Sequence, residues 1–289
     1  MTSAAELASG KGSNDENFPV ASHLIAPRHR PLILGFYAVA RLADDVADHA
    51  TAAPNEKLAH LDEIEASLLG RDDRVPESVA LRHALADRGL EPTHALDLLT
   101  AFRRDVTQLR YRDWGDLMHY CRYSAAPVGR FVLDVHGEDR ATWPANDALC
   151  AALQVINHLQ DCKKDYLALD RVYLPLDALG AAGATVEMLA ADRATPALLG
   201  AIAELVEHTW GLLDASRSFA RQIRDLRLAL EVGAIQRLAE SLTDRLERRD
   251  PLAGKVRHGK VEALTEALVG AGGVLGARLT SRQPAKVGP

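Results

Sequence analysis

Strand signal is almost missing from this chain. Alternating runs of β-branched residues are absent, aromatics make up 5% of residues, and Ala, Leu, Arg and Glu predominate. That excludes a sandwich or barrel and points to helices. Cysteine is scarce. Cys121, Cys150 and Cys162 are odd in number and form no C-x-x-C pair, which argues against a disulfide framework or a thiolate zinc site and fits a reducing cytosol. Positive charge is not in excess. The chain has 34 Lys and Arg against 40 Asp and Glu, a net charge of −6, so no nucleic-acid partner is expected. An anionic ligand must then be held by metals and local arginines. No segment reaches the roughly 20 uncharged apolar residues of a membrane span. The nearest, Leu264 to Leu279, contains Glu266 and Arg278 and is rich in glycine; it reads as a buried or interfacial helix. The N-terminus, Met1-Thr2-Ser3-Ala4-Ala5-Glu6, lacks the basic and apolar regions of a signal peptide, so a cytoplasmic protein is expected.

What is present is ample core material, 47% apolar in 289 residues. Residues 1–15 are small and polar and read as a flexible tail, 16–279 as one domain, and 280–289 as a polar C-terminal tail. Helical periodicity and first-turn prolines place helices at about 28–49, 55–69, 77–88, 92–110, 113–136, 145–169, 185–191, 196–225, 227–249 and 259–277. Pro127 should kink the fifth. Long helices with short connections imply an all-α bundle whose ligand site is central, lined by facing helices.

Two acidic stretches stand out: Arg41-Leu42-Ala43-Asp44-Asp45-Val46-Ala47-Asp48 and Asn157-His158-Leu159-Gln160-Asp161-Cys162-Lys163-Lys164-Asp165. Asp44 and Asp48 are four apart, as are Asn157, Asp161 and Asp165, so each set shares one side of its helix. One such pair alone is usually a solvated face. Two, each set in apolar sequence where an unpaired Asp is costly, point to facing helices that share divalent cations. Oxygen donors without a Cys or His pair suit Mg²⁺, typically held by a few carboxylates plus substrate phosphate oxygens. Arg41 lies where it can fork onto a phosphate oxygen, and one of Lys163 and Lys164 is expected to do the same while the other faces solvent. Asp45 points away from Asp44, and His158 lies off the Asn157 stripe in a structural role. The glycines of 270–276 follow no strand and so make no dinucleotide loop.

With Tyr120-Cys121-Arg122-Tyr123-Ser124-Ala125-Ala126-Pro127-Val128-Gly129 and Arg171-Val172-Tyr173-Leu174-Pro175, these motifs resemble the squalene and phytoene synthase family of head-to-head isoprenoid synthases, in its order and approximate spacing. The resemblance implies a single-domain isoprenoid-synthase bundle with a central cavity and Mg²⁺-bound diphosphate. It implies metal binding by Asp44, Asp48, Asn157, Asp161 and Asp165, and diphosphate contact by Arg41, Arg171, Tyr173 and the late basic stretch Lys255, Arg257 and Lys260. It places Tyr120 near the reacting centre. Asn17-Phe18 stands where condensing members open with Ser-Phe, and Asn17 joins the diphosphate contacts. Ala126-Pro127 stands where they tend to have Gly-Thr. Both departures resemble the bacterial hydroxysqualene synthase branch of hopanoid pathways. That branch implies presqualene diphosphate as substrate, metal-assisted loss of diphosphate, and water capture to give hydroxysqualene. It also implies functional coupling to neighbouring pathway enzymes, and so apolar a substrate suggests peripheral contact with the inner membrane. The alternatives are a condensing synthase joining two prenyl diphosphates and a non-catalytic helical scaffold.

Overall fold

The computed structural model describes residues 25–281, and the expectation for Asn17 lies outside them. Among the described residues all regular structure is helical: α1 Arg30–Asp48, α2 Pro54–Leu68, α3 Pro76–Ala86, α4 Thr93–Thr107, α5 Trp114–Ser124, α6 Ala126–His136, α7 Trp143–Leu169, α8 Leu176–Ala181, α9 Pro196–Ser216, α10 Phe219–Gln222, α11 Leu226–Arg248 and α12 Lys260–Ser281. Prolines sit in the first turns of α1, α2, α3, α6, α7 and α9, where a missing N–H costs nothing. Side chains of Asp113, Thr195 and Asp225 cap α5, α9 and α11 by accepting backbone N–H groups of the first turn.

Three expectations about helix continuity need correction. The segment 113–136 is broken rather than kinked. Ala125 leaves the helical path at φ −121°, ψ −50°, because Pro127 cannot donate a bond one turn back and its ring crowds that carbonyl. The segment 196–225 ends at Ser216 and resumes only briefly as α10, and 185–191 is a short 3₁₀ turn at Val186–Ala190. Helix α8 falls where the sequence pattern predicts no helix.

Two apolar cores form. One gathers α1, α2, α3 and α4 around Leu42, Val46, Leu61, Ile64 and Leu99. The other gathers α5, α7, α9 and α11 around Leu149, Ile156, Leu159, Leu205 and Leu242. Helix α6 serves both, giving Phe131 and Val135 to the first and Leu133 to the second. Its approach to α7 needs Gly129, since a Cβ there would overlap the Asn146 amide and stand 2.8 Å from Cys150 Sγ. Between the cores remains an apolar cavity of about 260 Å³.

Candidate active site

The site follows from how residue character changes along two helices. On α1, Ile33, Phe36, Tyr37 and Ala40 line the cavity; one turn on from Ala40 comes Asp44, then Asp48. On α7, Asn146, Leu149, Cys150 and Leu153 line it; one turn on from Leu153 comes Asn157, then Asp161 and Asp165. Both stripes run apolar to acidic in chain direction. The two helices therefore set a greasy chamber behind an acidic end, and Leu153 lies about 12 Å from Asp161 at 1.5 Å per residue.

A segment after α7 closes the acidic end. Asp170 terminates the helix in the left-handed region at φ 51°, a conformation that Asp tolerates better than most residues. Arg110 holds it by pairing Nη2 with Asp170 Oδ1 at 2.5 Å. The next residues zip onto the α4–α5 connection. Val172 N–H donates to the Leu109 carbonyl (2.9 Å), Leu176 N–H to that of Tyr111 (2.9 Å) and Asp177 N–H to that of Arg112 (3.1 Å). This course delivers Arg171, only 6% exposed, to the C-terminus of α1. There Nη1 donates to Asp48 Oδ1 (2.6 Å), Nη2 to the Ala47 carbonyl (3.2 Å) and Nε to the Asp105 carbonyl (3.0 Å). Lys57 of α2 also donates to the Ala47 carbonyl, at 2.9 Å. Two cations thus sit where the α1 dipole is negative.

Asp105 on α4 is the residue that sequence reasoning missed. It is 5% exposed, and its carboxylate accepts from the Tyr120 hydroxyl (2.9 Å) and the Tyr173 hydroxyl (3.1 Å). One carboxylate therefore ties together Tyr120, Tyr173 and the Arg171 segment. A signal was available: Asp105 stands one heptad after Leu98, on the buried stripe of Leu98, Ala101 and Asp105, a core position where Asp is expensive.

The electrostatics show unbalanced negative charge. Burial pushes the Asp44 carboxyl up to about 7, with Asp48 adding and Arg41 opposing, although the side chain keeps 35% of its exposure toward the cleft. Burial likewise lifts Asp165 to about 7, with Asp161 adding and Asp48 contributing from across the cleft; the two acidic stretches lie within charge range of each other. Burial raises Asp105 to about 6 against the pull of Arg171. Burial first and then the Asp105 charge hold the Tyr120 and Tyr173 phenols far above their usual range, so both stay neutral donors. Burial drops His158 to about 3; its neutral ring stacks on Tyr173 at 3.5 Å, a packing role.

Arg41 pairs with Asp44 (2.8 Å) and Asp45 (2.6 Å), so Asp45 is a buried salt-bridge partner of Arg41. Lys164 lies 3.7 Å from Asp161, whereas Lys163 turns away to Asp192 at 2.9 Å. Arg257 approaches Asp161 at 3.6 Å, placed by buried Val256 and by Gln160 donating to the Val256 carbonyl. Lys255 and Lys260 on either side are exposed. Tyr120 does not line the apolar chamber; Asp105 holds it at the acidic end. Among the described residues no three His, Cys, Asp or Glu side chains converge as a ready-made metal cage. A hard cation that takes one or two carboxylates and completes its shell from substrate oxygens needs none. Elevated carboxyls and partly exposed oxygen donors fit that mode.

A family model described as squalene/phytoene synthase matches residues 12–262. A hydroxysqualene synthase of Rhodopseudomonas palustris is 58% identical over 91% of this chain and 90% of its own length. Another, of Zymomonas mobilis, is 54% identical over 94% and 92%. The solved squalene synthase of Alicyclobacillus acidocaldarius superposes with a TM-score of 0.72 at 33% identity, covering 85% of this chain and 92% of that one. A solved dehydrosqualene synthase, 21% identical, shares the fold with a TM-score of 0.78 over 96% of both chains.

Proposed function

Since this chain belongs to the squalene/phytoene synthase family, we propose that it ionises presqualene diphosphate with Mg²⁺ and lets water capture the cation, giving hydroxysqualene and diphosphate. The observation that carries this reading is the joining of an apolar chamber to an acidic end along both α1 and α7. Its substrate is a diphosphate on a branched hydrocarbon, and burial alone can hold the hydrocarbon.

Asp44 and Asp48 from one side, and Asn157, Asp161 and Asp165 from the other, would hold magnesium, which supplies Lewis-acid stabilisation of the departing diphosphate. Arg257, beside Asp161, reaches the same oxygens, as does Arg41 on moving off Asp44. Arg171 anchors Asp48 through one carboxylate oxygen, which leaves the other to meet a cation. Tyr120, neutral and fixed by Asp105 at the acidic end, is the aromatic group that would steady a cation without attacking it. Phe36, Phe131 and Leu149 keep bulk water from the chamber. Exchange of so apolar a substrate and product suits peripheral contact with a membrane and coupling to the enzymes before and after.

The test is a product assay in ¹⁸O-labelled water with Mg²⁺. Presqualene diphosphate should be consumed and the alcohol product should carry the label. Consumption of farnesyl diphosphate with presqualene diphosphate untouched would instead assign a condensing activity.

The raised carboxyls also set a pH dependence. Folded Asp44 and Asp165 keep protons up to about 7, whereas an unfolded Asp loses its proton near 3.9. Their contribution to metal-free stability is therefore full below the unfolded value and is lost as pH rises toward 7. Metal binding requires the deprotonated form. MgCl₂ with inorganic diphosphate at about 100 times Kd should raise Tm by about 5 °C at pH 8, and by less than half as much at pH 6. An equal shift at both pH values would contradict the carboxylate assignment.

A further inference from the structure

Helix α12 is inside out. Beyond the exposed Lys260 at its start, its charged side chains face the body: Glu262 pairs with Arg245, Glu266 with Arg237 at 2.7 Å, and Arg278 donates to the carbonyls of Ile223 and Arg224. Its outer face carries Val261, Leu264, Leu268, Leu275 and Leu279, each between 44% and 82% exposed. At about 100° per residue these five fall within an arc of about 60°. Glycine sets this orientation. A Cβ on Gly270 would overlap the Gly233 carbonyl oxygen of α11, so only the glycine side can approach α11 and the leucines are left outside. An ordinary surface helix is arranged the other way round, and an apolar stripe of this length in water marks an interaction surface.

We infer that α12 seats the protein on an anionic phospholipid surface, lying in the plane of the interface with the five aliphatic side chains among the acyl chains. Charge selects this occupant. The chain as a whole is at −6, yet α12 carries no acidic residue after Glu266, and exposed basic side chains flank its C-terminal half: Arg221 lines the groove it packs in, and Arg224 lies where Arg278 docks. An apolar face with a basic end is the pattern of an interfacial helix, whose apolar side sinks about 5–10 Å into the headgroup boundary. The helix lies on the surface rather than crossing it, since no described helix is long and apolar enough to span a membrane. A second copy fits less well. A stable dimer needs about 800 Å² from each partner, more than one narrow helix stripe offers, and a lipid surface needs no matching shape. The placement also suits the proposed chemistry, although the binding is measured without substrate. Val232 of α11 lines the apolar cavity and also the groove that receives Val274 of α12, so the lipid surface would be one helix away from the chamber.

Flotation of the full chain with vesicles tests this. The protein should rise with phosphatidylcholine vesicles containing phosphatidylglycerol and much less with phosphatidylcholine alone. The double variant Leu268→Glu/Leu275→Glu, altered only at exposed positions, should lose more than about tenfold in partitioning, while its circular dichroism and its activity on detergent-dispersed substrate stay unchanged. Wild-type protein remaining at the bottom with anionic vesicles would overturn the inference, as would a variant that floats equally well. Light scattering showing a wild-type dimer that the variant turns into a monomer, without any change in flotation, would assign the stripe to a second copy instead.

Discussion

Asp161→Ala is expected to fold normally and to turn over presqualene diphosphate on the order of 10³-fold more slowly, the scale lost when one preorganised electrostatic contact to developing charge is removed. Asp161 is the cleanest acidic position to change. Its cationic neighbours are Lys164 at 3.7 Å and Arg257 at 3.6 Å, both largely exposed, so removing the carboxylate leaves no buried cation stranded. Helicity and Tm should stay near the wild-type values while kcat collapses. Asp48→Ala should lose as much activity, but it also strips Arg171 of its partner, so its Tm should fall as well. An Asp161→Ala enzyme within tenfold of wild-type turnover would remove Asp161 from the metal-binding set.

Arg171→Leu is expected to cost about 3 kcal/mol of stability and to abolish turnover. The scale is that of breaking a buried ion pair from one side. Arg171 is buried and forks to Asp48, to the Ala47 carbonyl and to the Asp105 carbonyl. Its charge also opposes the rise of the Asp105 and Asp165 carboxyls. Without it those carboxyls rise further, which penalises their ionised forms. The stability deficit, read from urea midpoints, should therefore be larger at pH 8 than at pH 6. Arg171→Lys restores the charge but not the three-way fork, so it should recover part of the stability and little of the activity. A deficit below 1 kcal/mol that is independent of pH would show that the fork is dispensable.

Much of the site is legible in the amino-acid order. The four-residue spacing of Asp44 and Asp48, and of Asn157, Asp161 and Asp165, is a property of one helix each, and helix geometry turns it into a shared face without tertiary information. The all-α class follows from composition and periodicity for the same local reason. The helix breaks at Ala125 and after Ser216 are less legible. Pro127 announces a disturbance, but whether a proline kinks or severs a helix depends on what packs around it, here α7 against Gly129.

The buried stripe of α4 flags Asp105 as costly, but what Asp105 does lies beyond any local rule. Its role depends on Tyr120 and Tyr173, which are 15 and 68 residues away along the chain, and no helical period relates such distances. The choice between Lys163 and Lys164 is likewise beyond local reasoning. Both lie next to acidic positions, and only the packing of α7 shows that Lys163 turns to Asp192.

The amino-acid order alone determined which side chains could act together on one helix, because 3.6-residue periodicity is fixed by the backbone. Only the tertiary structure decided which helices meet, where an arginine is buried between them, and that the leucines of α12 are left facing outward. Those outcomes depend on long-range packing, and at α12 on the close approach of Gly233 and Gly270, which no single segment encodes.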